Sequence, residues 1–163
     1  MIKGLIEKIW IKNKFSKYVN KKILNNIEKS DNKLKKPVEK ECGYILLEII
    51  QNEYFDLTLS NLIDYSKNKN IIYDIYGTIM LFFISKVLWN ENKDIIIKNI
   101  INEFINNIPE DIMKNIRCIH GVENAKIGFF GNNERSAYMA LLNNFYEKII
   151  KINELNIGEI KEI

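Results

Sequence analysis

The chain has 163 residues, 47% of them hydrophobic and 28% charged, and a net charge of +3. This composition is that of a folded globular domain rather than a disordered chain, and the length suits one self-sufficient core. The lysines are spread along the chain and are not gathered with aromatic residues, so we expect no nucleic-acid partner.

Cysteine usage and hydropathy narrow the class of protein further. Cys42 and Cys118 lack the spacing of a zinc site and fall in apolar runs, where buried free thiols are expected. No stretch reaches the roughly 18 apolar residues of a membrane span, and charges interrupt residues 1–10, unlike a signal peptide. The sequence therefore predicts a cytoplasmic protein without a metal or another cofactor.

Two amphipathic helices are predicted first, within residues 1–28. The apolar residues of the first helix lie on one helical face, and they are Ile2, Leu5, Ile6, Ile9 and Trp10. We expect this face, including Ile6 and Trp10, to pack on the domain or on a second copy of the chain. Attachment to a membrane surface is the alternative, because lysines flank the apolar stripe.

A charged linker at residues 29–40 leads into an α+β domain at residues 41–163. Residues 41–51 form a continuous apolar run, which is typical of a strand in the middle of a sheet. Glu48 interrupts the run. A carboxylate there is costly unless it lies at the strand end, is paired, or binds a metal, and we expect a structural role at the strand end.

The middle of the chain alternates helical and β patterns. A helix is predicted at residues 54–68, a hairpin around Gly77 at residues 71–86, and a helix at residues 94–107 that ends before Pro109.

The last third of the sequence has the patterns of a second hairpin, a long helix and an edge strand. Residues 117–131 contain two apolar runs around a turn-prone piece at residues 121–124, and apolar residues recur at helical spacing from Arg135 onward. Residues 155–163 predict the edge strand. The whole pattern is that of an α+β sandwich, a mostly antiparallel sheet with helices on one face.

Three phrases of the sequence resemble the catalytic domain of class III adenylyl and guanylyl cyclases. The first is an apolar phrase in the second predicted helix, formed by Phe15, Tyr18, Val19, Ile23 and Ile27. The second is an apolar phrase in the first predicted hairpin, formed by Ile79, Met80, Leu81, Phe82 and Phe83. The third is I-H followed by G-F-F-G-x-x-x-R-x-x-Y, within residues 119–138. The resemblance covers residues 15–151 and implies the ferredoxin-like plan of that family.

The resemblance also implies where a cyclase site would lie. The family uses two metal-binding carboxylates, a purine-contacting Lys, a base-selecting acid, and an Asn and an Arg from the last helix of the partner protomer. The corresponding positions here are, in chain order, Glu48, Tyr73, Gly77, Ala137, Tyr146 and Ile150. Only Glu48 could bind a metal, so the resemblance implies a degenerate domain, a pseudoenzyme without catalytic residues.

The leading hypothesis is an inactive cyclase-like domain that works as a dimerisation or regulatory module. It would form a homodimer, or bind a protein partner, through the former active-site face at Tyr76, Tyr146 and Ile150. One alternative is a small stand-alone inhibitor or immunity-type protein, suggested by the lack of an attached sensor or output domain. Another is a ligand sensor that keeps a nucleotide cleft without turnover. His120 is expected in the core or an interface.

Overall fold

The structure, a computed structural model, describes residues 37–69, 71–85, 96–131 and 136–163. The predicted N-terminal helices with Ile6 and Trp10, and residues 29–36 of the linker, lie outside these ranges. The elements in chain order are β1 (Val38–Ile49), α1 (Phe55–Asn68), β2 (Ile72–Tyr76), β3 (Ile79–Ser85), α2 (Ile97–Asn106), α3 (Glu110–Met113), β4 (Ile116–Gly131), β5 (Ser136–Leu141), α4 (Phe145–Asn153) and β6 (Ile160–Glu162).

The six strands of the described ranges form one sheet with β1 at its centre. Their order is β2-β3-β1-β4-β5, every pair along this path is antiparallel, and β6 runs parallel to β4 along residues 118–120. The continuous apolar run of β1 fits its central place, because a central strand is covered on both faces. The predicted α+β fold class with a mostly antiparallel sheet is confirmed.

Helices lie on both faces of this sheet. Leu62 of α1, Ile101 of α2 and Ile112 of α3 pack on one face, which we name the three-helix face. Phe145 and Ile149 of α4 pack on the other, which we name the α4 face. The expected placement of all helices on one face is thus corrected for α4. The reason is that successive residues of β1 point to opposite faces and both sets are apolar.

Gly43 allows α2 to approach β1 closely on the three-helix face. A Cβ atom at this position would collide with the side chain of Ile97 and lie 2.8 Å from Cγ1 of Ile101. Because Cβ contacts below 3.0 Å are essentially never tolerated, any larger residue here would push α2 away from the sheet. The glycine in the first strand therefore sets the distance between α2 and the sheet.

The second predicted hairpin is wrong, because residues 117–131 lie in the single long strand β4. The turn-prone piece at residues 121–124 pairs along its whole length with residues 41–44 of β1, which keeps its backbone extended. Gly121 serves close packing instead of a turn. A Cβ there would collide with the carbonyl oxygen of Ile163 and lie 2.9 Å from the Tyr44 hydroxyl.

The predicted long last helix is wrong in its first half. Residues 136–141 form β5, antiparallel to β4, and α4 begins only at Phe145. Asn144 separates the two elements with a left-handed backbone, φ 50°, a conformation that asparagine adopts more readily than most residues. Apolar residues at positions 137, 141 and 145 share a spacing of four, and this gave a helical pattern across a strand and a turn.

Several other elements match the sequence prediction. The helix at α1, the hairpin of β2 and β3, and the C-terminal edge strand β6 are all present, and α2 lies inside its predicted range. The hairpin turns at Gly77, with φ 65°. The strand β1 begins at Val38, three residues before its predicted start. None of the helices in the described ranges is long and apolar enough to cross a bilayer.

Candidate functional site

Glu48 lies at the end of β1 and forms an ion pair with Arg117 of β4. The two residues are cross-strand partners, and Nε of Arg117 donates to Oε2 of Glu48 at 2.6 Å. Both side chains are about four-fifths buried, with 20% of Arg117 and 19% of Glu48 exposed. Glu48, the carboxylate within the apolar run of β1, is therefore paired with Arg117, the residue directly opposite it in β4.

Arg117 also fixes the end of α4. Its Nη1 donates to the carbonyl oxygens of Asn153 and Leu155, each at 3.0 Å, and its Nη2 donates to Oδ1 of Asn153 at 3.1 Å. The carbonyl groups at a helix C-terminus lack partners within the helix, and a cation is favoured there. Glu48 is thus one of several acceptors that hold this guanidinium in place.

The hairpin tip lies beside the same end of β1. The backbone N–H of Ile49 donates to the carbonyl oxygen of Thr78 at 2.9 Å, and Glu48 is in register with Ile79. Gly77, at the expected position of the second metal ligand, occupies this tip and has no side chain. The fold therefore brings the two expected metal positions together, but it supplies only one carboxylate between them.

Tyr73 lies on the three-helix face, away from Glu48. Its ring centroid is 6.3 Å from that of Phe82, and it packs with the core between the sheet and α1 to α3. Tyr76 has the opposite orientation, because it is three residues further along the strand. Tyr73 therefore does not share a surface with Tyr76 and Glu48.

Tyr76 and α4 form an exposed apolar area on the α4 face. The Tyr76 ring contacts Phe145 edge to face at a centroid distance of 5.5 Å. Tyr146 follows Phe145 directly and is 76% exposed, and Ile150 lies one turn later and is 43% exposed. We name Tyr76, Tyr146 and Ile150 the hairpin–helix patch.

The remaining sequence-predicted residues lie elsewhere. Ala137 is in β5, one strand away from the helix to which it was assigned, so it does not share an element with Tyr146 and Ile150. His120 is buried beside Glu162 of β6, and burial lowers its pKa below the ordinary value. Cys42 and Cys118 are buried free thiols, as expected, and burial raises the pKa of each to about 12.

Two polar features of the α4 face were missed by the sequence analysis. Lys148 of α4 is buried, lies 2.8 Å from the carboxylate of Glu123, and has its Nζ 5.2 Å from the ring centroid of Tyr44. The other feature is Asp74 of β2, whose Oδ2 is buried and has no hydrogen-bond partner within residues 37–69, 71–85, 96–131 and 136–163. A charged residue alone inside an apolar β pattern was the available signal for Asp74, as it was for Glu48.

The metal chemistry expected from the resemblance does not fit these residues. Across residues 37–69, 71–85, 96–131 and 136–163, no group of three His, Cys, Asp or Glu side chains is placed to hold a metal ion. Two divalent ions over a triphosphate require shared carboxylates. Here one expected ligand is paired with Arg117 and the other is a glycine.

The fold is similar to that of several solved cyclase structures. Neither a protein-family model nor a curated protein sequence matches the chain. Among solved structures, the adenylyl cyclase CyaB from P. aeruginosa matches with a TM-score of 0.50 at 12% identity, covering 76% of each chain. The guanylyl cyclase Cya2 matches with a TM-score of 0.53 at 7% identity, covering 77% of this chain and 75% of that one.

A bacterial light-regulated adenylyl cyclase matches over more of the chain. Its TM-score is 0.57 at 11% identity, and the match covers 93% of this chain and 51% of the cyclase chain, so this chain corresponds to about half of that protein. At such identities the likeness concerns the fold. The chain has the fold of the catalytic domains of class III adenylyl and guanylyl cyclases.

Proposed function

We propose that this chain is a catalytically inactive cyclase-like domain that works as a dimerisation or regulatory module. The observation that carries the proposal is the ion pair between Glu48 and Arg117. The one carboxylate at a position where the resemblance implies a metal ligand is used to hold the end of α4 instead.

Metal binding at Glu48 would have to compete with this pairing. A divalent ion would displace a guanidinium that also binds Asn153 and Leu155, and it would leave that cation partly buried without its counter-charge. Mg²⁺ is usually held by one or two carboxylates together with substrate phosphates. Gly77 offers no second carboxylate, so the gain from binding a metal here is small.

The groups expected to act on the nucleotide are also replaced by apolar ones. Tyr146 and Ile150 stand where the resemblance implies the Asn and the Arg, and both are exposed on α4. Loss of a phosphate-stabilising Arg alone costs about 10³ to 10⁵ in rate in other phosphoryl-transfer enzymes. Exposed aromatic and aliphatic side chains are instead typical of the core of a protein interface.

We therefore assign the hairpin–helix patch to contact with a second copy of the chain. Pairing through this face is what the resemblance implies, and the exposed fractions of Tyr76, Tyr146 and Ile150 support it. A different protein bound to the same patch is the second form of the proposal. Both forms make protein contact, and not turnover, the activity of the domain.

An activity assay with a matched variant tests the absence of turnover. Purified protein and Glu48→Gln are incubated with ATP or GTP and either Mg²⁺ or Mn²⁺, and the cyclic nucleotide is quantified. Glutamine keeps an acceptor for Arg117 but is a poor ligand for these ions. We expect no difference between the two proteins, and calorimetry should show no micromolar binding of either ion. Cyclic nucleotide made by the wild type and lost in the variant would overturn the proposal.

A further inference from the structure

Asp74 is a half-buried residue on the α4 face of the edge strand β2, and one of its two carboxyl oxygens is buried. It is in register with Leu81 of β3, and the neighbouring pairs on the same face are Ile72 with Phe83 and Tyr76 with Ile79. Except for Tyr76, these neighbours are buried and apolar. The Oδ2 atom of Asp74 is buried and has no hydrogen-bond partner in the part of the chain that the structure describes, an arrangement that a folded protein tolerates only at a cost.

Within the described ranges, the elements packed on β2 supply no counter-charge to Asp74. The residues of β3 on this face are apolar, and α4 contributes Phe145 through its contact with Tyr76. The charged groups of α4 are Glu147, Lys148 and Lys151, and Lys148 is paired with Glu123. The helix α1 packs on the other face, so its titratable groups face away from Asp74. They are Asp56, Asp64, Tyr65, Lys67 and the following Lys69.

Burial without a counter-charge favours the neutral acid. Burial raises the pKa of Asp74 from 3.8 to about 7, and no cation in the described part of the chain acts against this. Tyr76 lies two residues from Asp74 on the same strand face, and burial, followed by the Asp74 charge, raises the pKa of Tyr76 to about 12. Asp74 therefore changes its charge near neutral pH, two residues from the contact between Tyr76 and Phe145.

An ionised Asp74 regains full solvation only if water also reaches its buried Oδ2. An unpaired buried carboxylate costs several kcal/mol, whereas the neutral acid costs far less. The hairpin is at the sheet edge, and Tyr76 is already 38% exposed, so loosening the tip gives water a direct route to this oxygen. Such loosening separates Tyr76 from Phe145.

We propose that Asp74 is a proton-controlled switch in the β2–β3 hairpin. As a neutral acid it allows the hairpin to pack on α4 through Tyr76 and Phe145. Ionisation releases its proton to solvent, draws water to the carboxylate and loosens that contact. The hairpin–helix patch is therefore better ordered at pH 6 than at pH 8. If the patch binds a second copy of the chain, which rests on the proposed function, association strengthens as pH falls.

Amide hydrogen exchange of β2 and β3 tests the switch within one chain, at a concentration where scattering shows a monomer. The protection factors are corrected for the intrinsic pH dependence of exchange. Asp74 has a pKa of about 7 in the closed hairpin and an ordinary pKa of 3.8 in the opened one. Because the opened hairpin ionises more readily, a rise in pH favours opening. We expect protection of the hairpin to fall about tenfold from pH 6 to pH 8. In Asp74→Asn, which resembles the neutral acid, protection should not change.

The control variant is Asp64→Asn, which removes an exposed carboxylate of α1 and should behave as the wild type. Equal pH dependence in the wild type and Asp74→Asn would overturn the switch. If Asp74→Asn does not fold, the carboxyl carbon of Asp74 is titrated by NMR in the wild type, and a midpoint below about 5 would also overturn it. Neither reading depends on dimerisation, so failure of the switch is distinguishable from failure of the proposed function.

Discussion

Glu48 and Asp74 are two carboxyl groups on the same face of one sheet, and they differ in their partners. Glu48 meets a guanidinium at 2.6 Å that is itself held by two carbonyl oxygens, while Asp74 has a buried oxygen without a partner among the described residues. Both lie in strands among apolar residues. The difference shows that the state of a carboxyl group in this sheet depends on the cross-strand residue, which is Arg117 in one case and Leu81 in the other.

On the α4 face of the sheet, Glu48 is thus a structural acid and Asp74 a responsive one. A carboxylate with a fixed counter-charge stabilises the fold and is withdrawn from metal binding. A carboxyl group opposite leucine is instead sensitive to pH. Substitutions at the two positions should therefore have opposite signs at alkaline pH.

Arg117→Ala should have the largest effect. It removes the charge that neutralises Glu48 and leaves the carbonyl groups of Asn153 and Leu155 without their donor. Breaking a largely buried pair by removing one partner costs about 3 kcal/mol or more. Urea unfolding should show this loss at pH 7 in the free energy of unfolding. A loss below about 1 kcal/mol would mean that the pair is solvated and that Glu48 is free for other ligands.

Asp74→Asn should stabilise the protein at pH 8 by about 2 kcal/mol, which is less than the full value of a shift of about three pKa units. The raised pKa means that Asp74 contributes stability below pH 4, and that this contribution is lost as pH rises to about 7. The gain should therefore be less than half as large at pH 5 as at pH 8. Thermal unfolding of both proteins at the two pH values measures it, and destabilisation at pH 8 would contradict it.

Glu48→Gln should destabilise the protein by about 1 kcal/mol, less than Arg117→Ala. The amide oxygen of glutamine can still accept from Nε of Arg117, so only the charge is lost. Urea unfolding at pH 8 measures this, and the change should be opposite in sign to that of Asp74→Asn. Stabilisation by Glu48→Gln would contradict this and show that the Glu48 charge is unfavourable in the folded protein.

Lys114→Ala should have the smallest effect, below about 0.5 kcal/mol, because its pair with Glu110 is exposed. Urea unfolding of Lys114→Ala and Arg117→Ala under the same conditions measures the difference. Lys114→Ala is the matched control, because it also removes one cation of an ion pair. A loss as large as that of Arg117→Ala would show that burial does not distinguish the two pairs.

Much of the fold follows from local patterns in the sequence. The apolar run of β1 predicts a central strand, and Gly77 predicts the turn of the first hairpin. The pattern was misleading where a long-range partner decides the backbone. Residues 121–124 look like a turn, yet pairing with β1 keeps them extended, and the helical spacing from Arg135 spans β5 and the turn at Asn144.

The candidate site could be predicted only in part. The strand-end position of Glu48 and the exposure of Tyr146 follow from spacing and resemblance. The pairing of Glu48 with Arg117 depends on the register between β1 and β4, 69 residues apart, which no local pattern encodes. The opposite orientations of Tyr73 and Tyr76 follow from strand alternation once β2 is assigned.

The central claim, a protein contact through the hairpin–helix patch, is tested most directly by light scattering across a dilution series to high micromolar concentration. We predict a dimer for the wild type and a monomer for Tyr146→Glu or Ile150→Glu, because a charge is placed on an apolar contact. Leu57→Glu, at an exposed leucine of α1 on the other side of the sheet, should leave the dimer intact. A monomer at high micromolar concentration, unaltered by these substitutions, would contradict the homodimer.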